Sequence, residues 1–391
     1  MNIKRLTYGL AAVCILAITA AMLIETYMVK SIEHPCTNEM MQASRLTSDW
    51  YNRIGEMKQY KGLHRTDPGI RYWGLIGEDF TPMTTTLGTL EAKETSCNPD
   101  FAALILRFMS ETGIDSNSVV GVMLSGSFPA LAIAALAAIQ TIGAEAVIFS
   151  SLGASCFGAN QGEATWIDME RWLIDHGGLK YSSRLVTPGG ENDNGGGMVE
   201  EGLAMMEVAA ARNGIELYRP TDLNDAIMTK TRIMTEAGVD LIINIGGNQA
   251  ALGTYPQASL IPTGYHFGLP PGDNPERGIL ARMAEQNIPY IHLLNIRDLA
   301  SRYDMPISPA RNSGPSVYVY SERQTSSLAV IFALSLTALA LVITRLLAGE
   351  NTNRRPTALT MPAKDNSTPS NHNILTAINS NLEPSHKEEQ C

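Results

Sequence analysis

The stretch VVGVMLSGSFP, residues Val119 to Pro129, decides the fold of this chain. Its first six residues, Val119 to Leu124, form a short apolar run of the kind that makes a buried strand. The Ala-rich segment Pro129 to Ile142 follows directly and is strongly helical, and Gly143 stands where a helix cap is expected. A strand that passes into a helix through a few residues is typical of a parallel α/β sheet.

The same alternation of strand and helix continues on both sides of this stretch. Further strands are predicted at Ala146–Phe149, Asp240–Ile245 and Ile288–Leu293, and helices at Asn38–Tyr60, Thr165–Ile174, Met198–Ala211, Leu223–Glu236 and Pro275–Glu285. Strands separated by helices of this length predict an α/β fold with a mostly parallel sheet and helices on both faces, a three-layer, Rossmann-like arrangement. In such folds, ligands bind beyond the carboxyl ends of the strands.

Two uncharged, apolar segments bracket the predicted domain. Leu6–Ile24 follows Lys4 and Arg5, and Thr325–Thr344 precedes Arg345. Each segment is long enough to approach a bilayer span, and the positive-inside rule places both basic flanks in the cytoplasm. A cleaved signal peptide is the alternative for the first segment, and a buried core helix is the alternative for the second.

These segments predict the organisation of a protein of the cytoplasmic (inner) membrane. The predicted parts are a cytoplasmic N-terminus at 1–5, a transmembrane helix at 6–28, an extracytoplasmic α/β domain at 30–324, a second transmembrane helix at 325–347 and a disordered cytoplasmic tail at 348–391. The tail is rich in Asn, Ser, Thr and Pro and has few large apolar residues, so it cannot bury a core. The lipid bilayer is therefore one predicted partner.

The composition excludes several classes of function. The formal net charge of the 391 residues is −10 and basic residues are not clustered, so we expect no nucleic-acid partner. The chain has neither a GxGxxG nor a GxxxxGK[ST] motif, so no dinucleotide or P-loop site is supported and the cofactor stays unknown. It also lacks a C-x-x-C motif and zinc-type histidine spacing, so we predict no metal site.

Cysteine usage leaves the disulfide status open. Cys14 lies in the first apolar segment, and Cys391 ends the chain. At most one internal pair can form among Cys36, Cys97 and Cys156. An extracytoplasmic domain permits a disulfide, but spacing alone cannot define one, so free thiols are the alternative.

The first segment that can carry chemistry is the turn of Ser125, Gly126 and Ser127 between the strand and the helix. Gly126 permits a tight turn, and Ser127 is placed to cap the helix or to present its hydroxyl beside free backbone amides. Helix starts of this kind bind anions, including carboxylates. The alternatives are a purely structural cap and a catalytic serine, Ser125 or Ser127, although the segment does not match the nucleophile elbow Gly-x-Ser-x-Gly.

A second serine-rich segment, with Ser150, Ser151 and Ser155, follows the next predicted strand. Neighbouring parallel strands end at the same edge of a sheet, so we expect these hydroxyls to lie beside Ser125 and Ser127. Two such strand ends predict a polar, amide-lined ligand-binding pocket. The alternative is a loop of ordinary turn-forming residues.

A third candidate site lies at Glu78 and Asp79, which precede Thr84, Thr85 and Lys93. The adjacent carboxylates are candidate catalytic groups, as acid and base or as cation ligands. Thr84 and Thr85 are candidate ligand-binding residues, and Lys93 supplies a cation that can bind the ligand or pair with either carboxylate. The alternative is that Glu78 and Asp79 are solvated loop charges.

Glycine-rich segments make the fourth candidate. Gly246, Gly247 and Asn248 follow a predicted strand, and the glycines allow a ligand to approach the backbone closely. The segment Glu191 to Asp193 lies between glycine clusters at 189–190 and 195–197. That segment is typical of a mobile surface loop, with a ligand lid as the alternative.

The ordered set of motifs resembles a known family. The motifs are GLIGEDFTP from Gly74, TTTLGTLEAK from Thr84, LSGSFPA from Leu124, SSLGAS from Ser150, TWIDME from Thr165 and NIGGNQA from Asn244. Together they cover most of Tyr72–Gly253 and are similar to the poly-gamma-glutamate system protein family. The resemblance implies a membrane-anchored component of bacterial poly-gamma-glutamate capsule synthesis, with the synthase membrane subunits and the polymer as partners. It implies no reaction and no catalytic residues.

Two functions fit these observations. The one we favour is an accessory protein that binds the polymer or the synthase complex during synthesis or export. The other is an extracytoplasmic amide hydrolase or transferase acting on the polymer, with Ser125 or Ser127 as nucleophile or with Glu78 or Asp79 activating a metal-bound water. The histidines show no recognisable triad spacing, but a triad is defined by geometry and not by spacing. Two membrane spans make a poor conduit, which disfavours a transporter.

Overall fold

The computed structural model describes residues 3–63, 72–254, 260–270, 277–308 and 316–349. These described residues divide into two units, one with residues up to Met22 and from Val330 onward, and one with residues between Leu23 and Ala329. The predicted tail at 348–391 lies outside the described residues from residue 350 onward.

Helices and strands alternate along most of the larger unit. The strands are β1 (Val29–Glu33), β2 (Thr84–Thr86), β3 (Val119–Ser125), β4 (Glu145–Ser151), β5 (Ala154–Ser155), β6 (Ser183–Thr187), β7 (Leu241–Ile245), β8 (Gly264–His266), β9 (Tyr290–Leu293) and β10 (Ser321–Thr325). The α-helices are α1 (Ile3–Tyr27), α2 (Thr37–Tyr60), α3 (Leu90–Ser96), α4 (Asp100–Glu111), α5 (Pro129–Ile142), α6 (Trp166–His176), α7 (Glu200–Arg212), α8 (Leu223–Glu236), α9 (Gln249–Leu252), α10 (Ile279–Ala284), α11 (Ile296–Arg302), α12 (Val317–Tyr320) and α13 (Ser327–Gly349).

Six of the described strands form one sheet in the order β6-β4-β3-β7-β9-β8. Five of the six are parallel, and β8 runs antiparallel to its neighbour β9 at one edge. The predicted α/β class and the mostly parallel sheet are therefore confirmed. The prediction missed β6, which mixes polar and apolar residues at the other edge, and β8, which has three residues.

The register of the sheet places the predicted polar strand ends side by side. β3 pairs with β4 up to Ser125 opposite Ser151, and with β7 up to Leu124 opposite Ile245. Along the chain, strands are added first on one side of β3, through β4 and β6, and then on the other side, through β7 and β9. This reversal between β3 and β7 is a topological switch point, where open α/β sheets bind their ligands.

Successive residues of β3 pack into two different groups of buried side chains. Val122 and Leu124 belong to a large apolar cluster with residues of α2, α4 and α5, whereas Met123 belongs to a second cluster with residues of α8, α9 and α10. Side chains of a strand point alternately to opposite faces, which explains this division. Helix α5 is buried from Pro129 to Ile139, in keeping with its lack of a polar stripe.

Within the described residues, two helical segments are long and apolar enough to cross a membrane by length and composition, Lys4–Tyr27 in α1 and Ser327–Ala348 in α13. Most of their large apolar side chains are exposed. The two helices pack closely at Gly9, where a Cβ would collide with the methyl group of Thr344. Small residues allow this kind of close approach between membrane helices. The two helices agree with the predicted association with a membrane.

Candidate functional site

A cavity of about 660 Å³ lies at the carboxyl ends of β3, β4 and β7, at the switch point of the sheet. The residues that line it are Thr85, Thr86, Leu87, Gly88, Thr89, Ala92, Lys93, Ser125, Ser127, Phe128, Ser151, Gly153, Ser155, Gly189, Gly190, Glu191, Gly196, Gly197, Gly247, Asn248, Gln249 and Leu294. A cavity of this size is typical of small-molecule sites.

The cavity brings together most of the ligand-binding residues that the sequence predicts. The predicted residues in its lining are Ser125, Ser127, Ser151, Ser155, Gly247, Asn248, Thr85 and Lys93. Four other predicted residues, Gly126, Ser150, Gly246 and Thr84, lie next to lining residues but are not part of the lining.

Gly126 and Gly246 shape the turns that carry the lining residues. A Cβ at Gly126 would lie 2.8 Å from the carbonyl oxygen of Leu152, so glycine is needed for the turn after β3 to pack against the turn after β4. Gly246 has a φ of +85°, and a Cβ there would lie 2.7 Å from the Ser125 hydroxyl. Both glycines therefore act through the backbone.

The side chains of Ser150 and Thr84 are used in structural hydrogen bonds. The Ser150 hydroxyl lies 2.6 Å from that of Ser183, which donates to the buried carboxylate of Glu170. The Thr84 hydroxyl accepts hydrogen bonds from the Thr81 amide at 2.9 Å and from the Asn160 side chain at 3.1 Å. These bonds hold the edge of the sheet and the loop before β2.

Lys93 is the central cation of the site. Its side chain is 2% exposed, and its ammonium group donates to the Ser127 carbonyl and, at 2.7 Å, to the Ser155 hydroxyl. The same nitrogen lies 3.7 Å from the centre of the Phe128 ring, a cation–π contact. The alternative that Lys93 pairs with Glu78 or Asp79 is wrong, because the lysine is buried against these three groups instead.

Burial lowers the pKa of Lys93 to about 7, against 10.5 for an ordinary lysine, while Cys156 and Cys97 act weakly in the opposite direction. The neighbours of the ammonium group are a carbonyl, a hydroxyl and a ring, and none of these carries a compensating negative charge. Desolvation therefore dominates. Near neutral pH, the site holds a mixture of charged and neutral lysine.

The hydroxyls of the two serines in the turn after β3 both accept hydrogen bonds from backbone amides. The Ser127 hydroxyl accepts the Ser155 amide at 3.0 Å, and the Ser125 hydroxyl accepts the Ser127 amide at 3.2 Å. The N-cap of α5 is Phe128, without a side-chain hydrogen bond. Of the two alternatives for Ser127, the helix cap is therefore wrong, because its hydroxyl links the two serine-rich turns.

Glu78 and Asp79 are exposed and are not part of the cavity lining. The Glu78 carboxylate accepts from the Gln161 side chain at 2.8 Å. The buried side chain of Asn160 accepts from the Glu78 amide and donates to its carbonyl, both at 2.9 Å, and this turns the loop outward. The structure thus separates these two catalytic candidates from the predicted serines.

The glycine-rich segment after β6 is anchored and contributes to the site. Asp193 is fully buried and forms an ion pair with the equally buried Lys230 of α8. Its other carboxylate oxygen accepts from Ser151 at 3.1 Å, Thr187 at 2.9 Å and Asn248 at 3.1 Å. The prediction of a surface loop is therefore wrong for Asp193.

Sequence reasoning missed Asp193 and Lys230 as partners. Asp193 has a φ of +60° and Asn192 a φ of +55°, and the flanking glycines Gly190 and Gly195 are also left-handed. Repeated glycines around Asn and Asp were the available signal, because these residues tolerate left-handed backbone. The lysine gave no signal, since a polar residue in a helix is usually solvated.

The four cysteines in the described part of the chain, Cys14, Cys36, Cys97 and Cys156, are free thiols. Burial raises the pKa of Cys97 to about 12, so this thiol stays protonated at neutral pH. A protonated, buried thiol is a poor nucleophile. Cys391 lies outside the described residues.

The cluster of described residues that comes nearest to a metal site is His34, Glu111 and Glu322. Arg107 already donates to both carboxylates, at 2.9 Å to Glu111 and 3.3 Å to Glu322. The His34 ring also accepts from the Cys36 amide through Nδ1. The guanidinium group therefore supplies the positive charge that a metal would otherwise bring.

Comparison of the chain with protein-family models, with curated proteins and with solved structures found no match.

The burial of Lys93 predicts a pH-dependent stability. The folded-state pKa lies below that of an exposed lysine, so between about pH 7 and 10.5 the unfolded chain binds more protons and stability rises with pH. Each pKa unit corresponds to about 1.4 kcal/mol, so the free energy of unfolding should rise by on the order of 5 kcal/mol across this pH range. In detergent, Lys93→Met should therefore have a higher melting temperature than wild type at pH 7. This difference should shrink toward pH 10. Lys180→Met at an exposed position should show no such trend, and an equal trend in both variants would contradict the assignment.

The buried Asp193–Lys230 pair predicts a large loss of stability when one partner is removed. Lys230→Met leaves a buried carboxylate unpaired and should cost about 3–5 kcal/mol. The double variant Asp193→Asn/Lys230→Met should recover much of that loss, measured by chemical denaturation of the solubilised chain. The control is Arg232→Met on the same helix, which removes the exposed ion pair between Arg232 and Glu236. This variant should lower the free energy of unfolding by less than about 1 kcal/mol. Equal losses at the two positions would show that the buried pair is not an anchor.

Proposed function

We propose that this chain is a membrane-anchored accessory protein of poly-gamma-glutamate synthesis or export, and that its domain binds the polymer or the synthase complex. The observation that carries the proposal is the cavity at the strand ends, with Lys93 and several hydroxyls in its wall. The poly-gamma-glutamate assignment itself rests on the resemblance of the motifs, four of which contribute residues to this cavity.

The chemistry of the cavity suits a ligand that carries carboxylates and amides. The charged residues in the described lining are Lys93 and Glu191. A carboxylate bound beside Lys93 would favour its charged form and raise its pKa, so binding would be coupled to proton uptake. The hydroxyls and the glycine backbone offer donors and acceptors for amide groups. Since the chain is net acidic, such local donors are needed to hold a polyanion.

The finer description of the fold belongs to the same proposal. We take the domain to be a three-layer, Rossmann-like arrangement with helices on both faces of the sheet. Support comes from the division of the buried residues into two clusters and from the reversal of strand order at β3 and β7.

We also propose that residues 30–324 are extracytoplasmic and that both termini are in the cytoplasm. The support is the basic flank of each apolar helix, Lys4 and Arg5 before α1 and Arg345 near the end of α13. The protein would then reside in the cytoplasmic (inner) membrane and present its cavity to the polymer outside.

Labelling with a membrane-impermeant maleimide tests this topology. In spheroplasts, a Lys180→Cys variant should react, because position 180 is exposed in the domain, whereas Cys391 should react only after permeabilisation. Peptide mass spectrometry distinguishes the two positions. Labelling of Cys391 in intact spheroplasts would reverse the proposed orientation.

Polymer binding tests the proposed function directly. The full chain in detergent should bind poly-gamma-glutamate, and added salt should weaken the complex because charges contribute to it. Loss of a charge-assisted hydrogen bond costs about 1.5–3 kcal/mol, so Lys93→Met should weaken binding by roughly 10- to 100-fold. Lys180→Met, which removes an exposed lysine outside the cavity, should bind as wild type does. Equal affinity of wild type and Lys93→Met would refute binding in this cavity.

The second candidate function is an extracytoplasmic amide hydrolase or transferase acting on the polymer. One observation favours it, the contact of 2.7 Å between the Lys93 nitrogen and the Ser155 hydroxyl. Serine and lysine side chains at hydrogen-bond distance are a known arrangement for nucleophilic catalysis.

A further inference from the structure

We propose that Ser155 and Lys93 form a catalytic pair for acyl transfer, with the Ser155 hydroxyl as nucleophile and the Lys93 amine as general base. The substrate class is an amide or ester whose carbonyl carbon can reach the Ser155 oxygen. The inference goes beyond ligand binding, and it rests on the proposed function in one respect, because both require an acyl compound to enter the same cavity.

The geometry of the pair suits proton transfer. The Lys93 nitrogen lies 2.7 Å from Ser155 Oγ, and both side chains line the cavity while being almost fully buried. Gly88 lies on the same wall, where a Cβ would lie 3.1 Å from Ser155 Oγ. The absence of a side chain at Gly88 leaves room for a ligand beside this hydroxyl.

In the described part of the cavity, the other serines contact no comparable base. The hydroxyls of Ser125 and Ser127 accept backbone amides. Ser151 donates to Asp193, but that carboxylate is already paired with Lys230. The carboxylate also accepts hydrogen bonds from the side chains of Thr187 and Asn248, so its oxygens are already used in structural contacts. These contacts favour Ser155 over Ser125 and Ser127, the candidate nucleophiles named from the sequence.

A lysine acts as a base only in its neutral form, and its surroundings favour that form. Because burial lowers the pKa of Lys93 to about 7, roughly half of it is neutral near pH 7. The titratable groups that act on it are Cys156 after β5 and Cys97 at the end of α3, and Glu191 is a further titratable group in the lining of the same cavity. The neutral amine can donate one N–H to the Ser127 carbonyl and accept the Ser155 proton with its lone pair.

The reaction balances with water as the second reactant. Ser155 Oγ forms a bond to the carbonyl carbon while its proton moves to the Lys93 amine. When the carbon–nitrogen bond of an amide breaks, the Lys93 ammonium gives that proton to the leaving amine. Water then attacks the acyl ester, Lys93 takes its proton, and the proton returns to Ser155 Oγ as the acid leaves. An amine in place of water would give transfer instead of hydrolysis.

Ser127 is placed to assist this reaction as a positioning residue. Its hydroxyl oxygen accepts the Ser155 amide, and its carbonyl accepts from Lys93, so one residue orients both members of the pair. Its own O–H remains to donate to a group in the cavity, and the oxygen of a reacting carbonyl is such a group.

A fluorophosphonate probe tests the pair without a known substrate. In the full chain in detergent, Ser155 Oγ should bond to phosphorus, fluoride should leave and the proton should pass to Lys93. Peptide mass spectrometry should place the adduct on Ser155, and the labelling rate should rise with pH with a midpoint near 7. Lys93→Met and Lys93→Arg should label about 100-fold or more slowly, since neither side chain can act as the base.

Matched controls are the exposed residues Ser182 and Lys180, which lie outside the cavity lining. Ser182→Ala and Lys180→Met should label as wild type does, and melting curves confirm that every variant is folded. The absence of a Ser155 adduct in folded wild type, or an equal rate in heat-denatured wild type, overturns the pair even if the Lys93 variants fail to fold. Polymer binding is measured on the same samples. Polymer binding without an adduct supports the proposed function and refutes the catalytic pair. An adduct without polymer binding supports the catalytic pair and refutes the proposed function.

Discussion

The parallel pairing of β3 with β4 on one side and with β7 on the other is the constraint on which the site depends. Backbone hydrogen bonds in this register set Ser125 opposite Ser151 and bring the turn with Asn248 to the same edge. Parallel strands need long connections, so these neighbours come from distant parts of the chain. The close approach of the turns then depends on Gly126 and Gly246, whose missing side chains leave the space that the adjacent turn and Ser125 occupy. The cavity follows from register and from this backbone packing.

Two buried lysines serve the site in different ways. Lys230 reaches a carboxylate, Asp193, and the pair fixes the glycine-rich segment that forms one wall of the cavity. Lys93 reaches a carbonyl, a hydroxyl and an aromatic ring instead. The carboxylate compensates the charge of Lys230, whereas burial of Lys93 against neutral groups favours the neutral amine. The first arrangement suits structural support, and the second suits a group that exchanges protons with a ligand.

The proposed polymer binding and the proposed acyl transfer would make different demands on the same cavity. Binding of a carboxylate needs the charged form of Lys93, while general-base catalysis needs the neutral form. A pKa near 7 allows both forms at neutral pH, so a bound carboxylate would shift the balance toward the charged form and slow the reaction. The two proposed functions would therefore compete through one side chain, and the protonation state of Lys93 is the quantity that separates them.

The sequence by itself determined the fold class, the two long apolar helices and the strand ends at which polar residues gather. These features depend on local apolar periodicity and on residue type, which are visible in segments such as Val119 to Pro129. Only the tertiary structure decided which polar groups meet. It buried Lys93 against Ser155, paired Asp193 with Lys230 and turned Glu78 outward. Such contacts join residues from separate segments, and their pairing depends on strand order, register and close backbone packing, which no single segment contains.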